Sequence, residues 1–238
     1  MEDSVFRPKI AVPGRFTESA SALRYRGLVS ARRLMEAIWL AGGDPVTLLP
    51  AEAPDGTDWA RRMAGFHGVL LPGGGDVTPS RYGMSNDNPS LYDMNEIQDE
   101  TDFTLAAYAL DNGIPLLAVC RGLHVVNALL GGTLVIDMDV NHRHHTHTVA
   151  LSDEANHLGF GSSSVGASCY HHQAIDKVAE RITVLGRAED DTVEAIAIDA
   201  PAWAGGVQWH PEDIYDADPI QLKPFITLVE QARNGVGR

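Results

Sequence analysis

Three residues have the types and spacing that acyl-transfer chemistry needs: Cys120, His210 and Glu212. Cys120 ends the apolar run Ile114–Val119, and Gly122 and a helical pattern of Leu123, Val126, Asn127 and Leu130 follow at once. That context is a strand, a sharp turn and a helix, which lifts a nucleophile above the carboxyl edge of a sheet. The N-terminus of the helix favours a thiolate and leaves backbone N–H groups free for an oxyanion. The competing account of Cys120 is a buried core thiol. His210 follows the strand-like AGGVQW, Pro211 denies it a helical continuation, and Glu212 is near enough to turn back on the imidazole. A thiol, an imidazole and an orienting carboxylate form a nucleophile, a base and a positioner.

A second glycine-rich segment, LPGGGDVTP (Leu71–Pro79), follows another apolar run. Ligands of open α/β sheets bind beyond such strand ends, and glycines let a backbone N–H approach a reacting oxygen closely. Arg121 at the helix start and Arg81 in a long polar loop are candidates to pair with a substrate carboxylate, with ordinary ion pairing as the alternative. NHRHHTH places four histidines in six positions, His142 to His147. No second ligand group stands beside it at closed-site spacing, so we expect no metal here.

These residues need a scaffold. Short apolar runs at Lys9–Val12, Pro45–Leu49, Gly68–Leu71 and Ile114–Val119 read as strands, the last one buried on both faces. Helical spacing covers Arg24–Ala41, Glu96–Asp111 and Pro219–Ala232. The alternation argues for a mainly parallel sheet covered by helices. Between Gly131 and Val207 the runs TLVI, HTVAL, RITVL, VEAIAI and AGGVQW are short, which predicts antiparallel or mixed strands added to the same sheet. No linker separates the halves, so a single domain over residues 1–238 is expected. The loop Pro79–Asn95 is polar and long, as binding loops are.

Composition sets outer bounds. The chain has 238 residues, 44% hydrophobic and 21% charged, enough for a core without disulfides or metals. Its net charge of −14 argues against a nucleic-acid partner. The two cysteines, Cys120 and Cys169, are not a disulfide framework. MEDSVFRPKI has no apolar leader pattern and no run reaches a membrane-spanning length, so no membrane association and a cytoplasmic location are the expectations.

Taken together, CRGLH, LPGGGDVTP and VQWHPE, in this order, resemble the class I glutamine amidotransferase superfamily, in particular the branch of gamma-glutamyl-gamma-aminobutyrate hydrolases. YRGLVSARRLMEAIWLAGGDPVTLLP, the Arg81–Gly83 RYG, the Cys169–Ile175 CYHHQAI and the Val193–Ile196 VEAI extend the likeness over nearly the whole chain. The resemblance implies a three-layer α/β/α sandwich, flavodoxin-like in its parallel part. It implies a triad of Cys120, His210 and Glu212, and an oxyanion hole from the backbone N–H groups of Gly74 and Arg121. It implies a small gamma-glutamyl amide as substrate, no cofactor, and a role in polyamine (putrescine) catabolism.

Two positions differ from many relatives. His124 stands where a glutamine is usual, and Ser168-Cys169 stands where Asn-Ser precedes the histidine pair. His124, His171, His172 and Gln173 are accordingly expected to shape the substrate site, beside Arg81. A glutaminase subunit serving a separate synthase, and a non-catalytic binding protein on the same scaffold, are the competing functions. A homodimer is the default assembly.

Overall fold

The protein, seen in a computed structural model, is described over residues 6–21, 23–50, 58–140 and 142–235. In chain order its elements are β1 (Lys9–Pro13), β2 (Arg15–Thr17), β3 (Gly27–Val29), α1 (Arg32–Leu40), β4 (Asp44–Leu48), α2 (Trp59–Arg62) and β5 (Gly68–Leu71). Then come α3 (Glu96–Asp111), β6 (Leu116–Val119), α4 (Arg121–Leu129), β7 (Leu134–Val135), β8 (His145–Leu151) and β9 (Ser164–Cys169). The chain closes with β10 (Ala174–Ile175), β11 (Ile182–Arg187), β12 (Val193–Ile198), β13 (Ala204–Val207) and α5 (Lys223–Asn234).

Nine strands form one sheet in the order β4-β1-β5-β6-β13-β12-β11-β8-β9. The first five run parallel; from β13 onward every pairing is antiparallel. The runs HTVAL, RITVL, VEAIAI and AGGVQW therefore extend the sheet of the first half, whereas TLVI does not: its strand β7 pairs antiparallel with β10 in a separate two-stranded sheet. β13 joins the parallel half, beside β6, so the segment before His210 lies next to the segment before Cys120.

Both faces of the parallel half are covered, which is why its strands are apolar without alternation. Ile10, Val12, Leu70, Leu117 and Val119 pack with Leu34 and Ile38 of α1 and Phe225 and Leu228 of α5. Ala11, Val69, Leu71, Leu116 and Ala118 pack with Leu105 and Ala109 of α3 and Leu123 and Val126 of α4. That is the three-layer arrangement, with α4 pressed so closely on the sheet that every residue from Arg121 to Ala128 is buried.

Some elements depart from the sequence reading. The helix expected over Arg24–Ala41 begins only at Arg32, and Gly27–Val29 is a strand paired antiparallel with Arg15–Thr17. Leu28 sits over Gly14, where a Cβ would come within 2.6 Å of its side chain, so tertiary contact holds the segment extended. The expected terminal helix opens as a 3-10 turn over Pro219–Leu222 before α5. The long polar loop carries a 3-10 turn at Pro79–Tyr82. Its far end docks on the glycine segment: the Asp76 amide donates to the Tyr92 carbonyl at 3.1 Å, and the Tyr92 amide to Asp76 Oδ2 at 3.0 Å. Among the described residues, no helix is long and apolar enough to cross a membrane.

Candidate active site

Three neighbouring parallel strands, β5, β6 and β13, end side by side, with Leu71 opposite Ala118 and Val119 opposite Val207. The segments leaving them carry the glycine loop, Cys120 and His210. The sheet thus brings together residues separated by more than a hundred positions, at the edge where α/β sheets bind ligands.

Cys120 is buried and has φ 51° and ψ −109°, a left-handed backbone that a residue with a Cβ adopts only under constraint. Its amide donates to the Val207 carbonyl at 2.8 Å, which fixes the turn to the neighbouring strand. Gly122 makes the turn possible: a Cβ there would lie 2.5 Å from the Leu71 carbonyl oxygen. Arg121 is the first residue of α4, so its N–H has no acceptor within the helix. Its guanidinium is committed elsewhere, paired with Asp99 and Asp102 in the core.

His210 lies above this turn, its Nδ1 2.8 Å from Glu212 Oε1 and its amide donating to the Ser168 carbonyl at 2.8 Å. Burial alone would depress its pKa. The charges of Cys120 and Glu212, and hydrogen bonds to both, instead raise it well above the ordinary imidazole value. An imidazole braced by a carboxylate beside a thiol is the arrangement of a base and its nucleophile.

The glycine loop runs beside both groups. A Cβ on Gly73 would lie 2.8 Å from His210 Cε1 and 3.7 Å from Cys120 Cβ. One on Gly74 would meet Arg15 Nε at 2.8 Å and Arg121 Cδ at 3.1 Å, and one on Gly75 the Asp93 carbonyl oxygen at 2.5 Å. Arg15 clamps the loop: Nε donates to the Gly73 carbonyl and Nη2 to that of Pro72, both at 2.9 Å, while the guanidinium also pairs with Asp102. Asp102 therefore bridges Arg15 and Arg121, holding the loop after β5 against the helix after β6.

The cleft over Cys120 is lined by Gly74, Gly75, Asp76, Tyr92, Arg121, His124, Tyr170, His171, His172 and Gln173. His124 Nε2 is 2.7 Å from Gln208 Oε1, and Gln208 Nε2 lies 3.9 Å from Cys120 Sγ. Burial, reinforced by His171, pulls the His124 pKa down to about 3, so it is a neutral group. His172 bridges two carboxylates, Asp76 at 3.0 Å and Asp137 at 2.9 Å. Burial pushes the Asp76 pKa up, against the pull of the Tyr92 amide and His172. His171 Nδ1 is 2.9 Å from the Gln173 carbonyl, and Gln173 Nε2 donates to the Ile136 carbonyl at 3.3 Å.

Of the residues singled out in the sequence, Arg81 is the one set apart. It pairs with Glu100 at 2.8 Å and Glu96 at 3.6 Å, and is absent from the cleft lining. The Arg121 side chain is likewise occupied by buried aspartates rather than offered to a substrate. Sequence reasoning missed Gln208, Asp76, Arg15, Asp99 and Asp102. A glutamine inside GVQW and acids on the buried side of α3 were the available signals, but polar residues at such places read equally well as solvent-facing.

A three-layer α/β domain with a strained cysteine elbow and a histidine–glutamate pair at adjacent strand ends defines the class I glutamine amidotransferase-like proteins. Residues 8–212 match the Peptidase C26 family model, and the chain belongs to that family of glutamine amidotransferase-like hydrolases. It is 33% identical over 216 residues to a provisionally named glutamine amidotransferase, Rv2859c of Mycobacterium tuberculosis, covering 85% of this chain and 67% of that one. It is 28% identical over 220 residues to the gamma-glutamyl-gamma-aminobutyrate hydrolase PuuD of Escherichia coli, covering 83% and 85% of the two chains. The fold matches a solved glutamine amidotransferase of Thermotoga maritima with TM-score 0.62 at 14% identity, over 98% of this chain and 100% of the other.

Proposed function

We propose that the protein hydrolyses the gamma-glutamyl amide bond of a small gamma-glutamyl amine, with gamma-glutamyl-gamma-aminobutyrate as the leading substrate. The observation that carries this reading is the placement of His210, held by Glu212 at 2.8 Å, beside Cys120 and the glycine loop at the carboxyl edge of the sheet. The relative of that name in Escherichia coli, similar over most of both chains, supports the choice of amide.

In the proposed reaction Cys120 Sγ attacks the amide carbonyl carbon while its proton resides on His210. The tetrahedral oxyanion meets the backbone N–H groups of Arg121 and Gly74. Collapse breaks the C–N bond, and His210 gives its proton to the leaving amine. Water then attacks the glutamyl thioester with His210 as base, releasing glutamate and the free thiol. Glu212 keeps the imidazole in the tautomer and orientation this requires. Asp76 and His172, with His124, His171 and Gln173 behind them, give the cleft a carboxylate and donors for the amino and carboxylate groups of a glutamyl head.

The test is release of amine or ammonia from gamma-glutamyl-GABA, gamma-glutamyl-putrescine, gamma-glutamyl-ethanolamine and glutamine, with Cys120→Ala alongside. Turnover of a gamma-glutamyl amine that vanishes in the variant is the expected result. Turnover of glutamine alone moves the assignment to a glutaminase subunit. Inactivity on all four, with Cys120 no more reactive to alkylation than Cys169, leaves a binding protein.

A further inference from the structure

Beyond the triad, the fold collects a second group of chemically capable side chains from three separate segments. His142 precedes β8, His147 lies within it, Cys169 ends β9 and Glu194 lies on β12. One ligand atom from each falls within 4.8 Å of all the others. Glu194 and Cys169 are fully or nearly fully buried, and His142 is 7% exposed. The histidine-rich segment lacked a partner ligand group in the sequence because Cys169 and Glu194 arrive through strand pairing, not through local spacing.

Four of the six separations are close to those of a tetrahedral shell, and all six lie within 4.8 Å. With bonds of about 2.0–2.1 Å to nitrogen or oxygen and about 2.3 Å to sulfur, a tetrahedron has edges of about 3.3 Å between N/O ligands and about 3.6 Å to sulfur. Here Glu194 Oε1 is 3.2 Å from His142 Nδ1 and 3.3 Å from His147 Nε2. Cys169 Sγ is 3.6 Å from His147 Nε2 and 4.0 Å from the same Glu194 oxygen. His142 presents its other nitrogen, Nε2, to Asp190 Oδ2 at 2.9 Å, the outer carboxylate that commonly orients a metal-bound imidazole.

A second observation points inward. His171 is 4% exposed and holds the Gln173 carbonyl through Nδ1, which leaves Nε2 turned toward the cluster. That nitrogen is buried without a hydrogen-bond partner and faces Glu194 Oε1 at 3.4 Å.

We infer that His142, His147, Cys169 and Glu194 form a structural site for a divalent transition metal of the zinc class, with His171 at its edge. One thiolate and one carboxylate offset the charge of a divalent ion, which leaves the buried site neutral; Cys169 gives its proton to solvent on binding. The metal staples β8, β9 and β12 together behind the His171–Gln173 wall of the cleft, where it has no part in the reaction. Four protein ligands close the shell, as in structural rather than catalytic zinc sites.

The test uses the full chain without a polyhistidine tag, stripped by chelator and titrated with Co(II). The expected result is one Co(II) per chain, with a thiolate-to-cobalt charge-transfer band and intense tetrahedral d–d bands. Those bands should disappear in Cys169→Ser and Glu194→Gln, and persist in Cys120→Ser and in the doubly substituted His144→Ala/His145→Ala chain, which removes exposed histidines nearby. Absence of the bands from folded wild-type protein at excess Co(II) overturns the site in favour of a carboxylate held by protonated histidines. Bands that follow Cys120 rather than Cys169 overturn it too. Because wild-type and Cys120→Ser protein decide these outcomes, the test survives a cluster variant that fails to fold.

Discussion

Gly73 is the position where one methyl group separates chemistry from folding. In Gly73→Ala the new Cβ would lie 2.8 Å from His210 Cε1, against about 3.5–4.0 Å for an ordinary carbon contact. The ring must therefore retreat by about 0.7 Å or more. On its other flank it is held by a 2.8 Å bond to Glu212, so the retreat is taken up as a tilted imidazole or a lengthened reach to the thiol. A misplacement on the order of 1 Å costs about a hundredfold in rate, or about 2.7 kcal/mol of barrier. We expect a 10–100-fold (order-of-magnitude) fall in turnover of the substrate found in the amide panel, and a similar fall in the alkylation rate of Cys120 near neutral pH. Stability should hardly move, because the crowded neighbour is a partly exposed ring. Gly122→Ala is the contrast: its Cβ would meet backbone, the Leu71 carbonyl oxygen at 2.5 Å. That substitution should lower stability by about 1–3 kcal/mol or more in urea unfolding. If Gly73→Ala kept wild-type turnover and thiol reactivity, the loop and not the ring would have yielded, and the argument would fail.

Three further outcomes follow from the site. Glu212→Gln removes the charge that braces His210 and should cut turnover by about 10²–10⁴ with little loss of stability, read by steady-state kinetics beside thermal melting. Arg121→Met removes the ion-pair partner of buried Asp99 and leaves Asp102 with Arg15 alone; a loss of about 3–5 kcal/mol in denaturant unfolding is expected, and a change under about 1 kcal/mol would refute that role. The third concerns acid stability. The His124 pKa falls from its ordinary value to about 3 on folding, so the unfolded chain binds the proton more tightly. Its contribution is present above about pH 6.5 and is lost as pH falls towards the folded value, by about 2 kcal/mol between about pH 7 and about pH 5. His124→Gln should flatten that part of the stability–pH curve, and an unchanged slope would assign the loss elsewhere.

The parallel half of the fold was legible because its strands are covered on both faces and so appear as unbroken apolar runs. Cys120 and Gly122 were legible for the same reason, since the run ends sharply at the thiol. What stayed hidden depends on contacts distant in sequence. Leu28 carries helical spacing, yet its contact with Gly14 makes a strand of Gly27–Val29. β9, with the composition SVGASC, has small residues that take a strand only because β8 lies beside it. Glu194 reads as one more residue of a strand, and nothing local announces three histidines around its carboxylate. Arg15 and Asp102 were passed over because a charged pair in sequence looks like surface until both partners are seen at the glycine loop.

The backbone bond from Cys120 to Val207 has a consequence for how such a site can diversify. The nucleophile sits directly beyond β6 and the base three residues beyond the hydrogen-bonded neighbour β13, where the His210 amide is tied to Ser168 of β9, so main-chain bonds between strands hold both groups. The 79–95 loop and Tyr170 contribute walls of the cleft and make none of these bonds. Lineages on this frame are free to rewrite Tyr92, Tyr170 or the 79–95 loop and exchange one amide for another, while the reacting pair is inherited as a fixed interval of main chain.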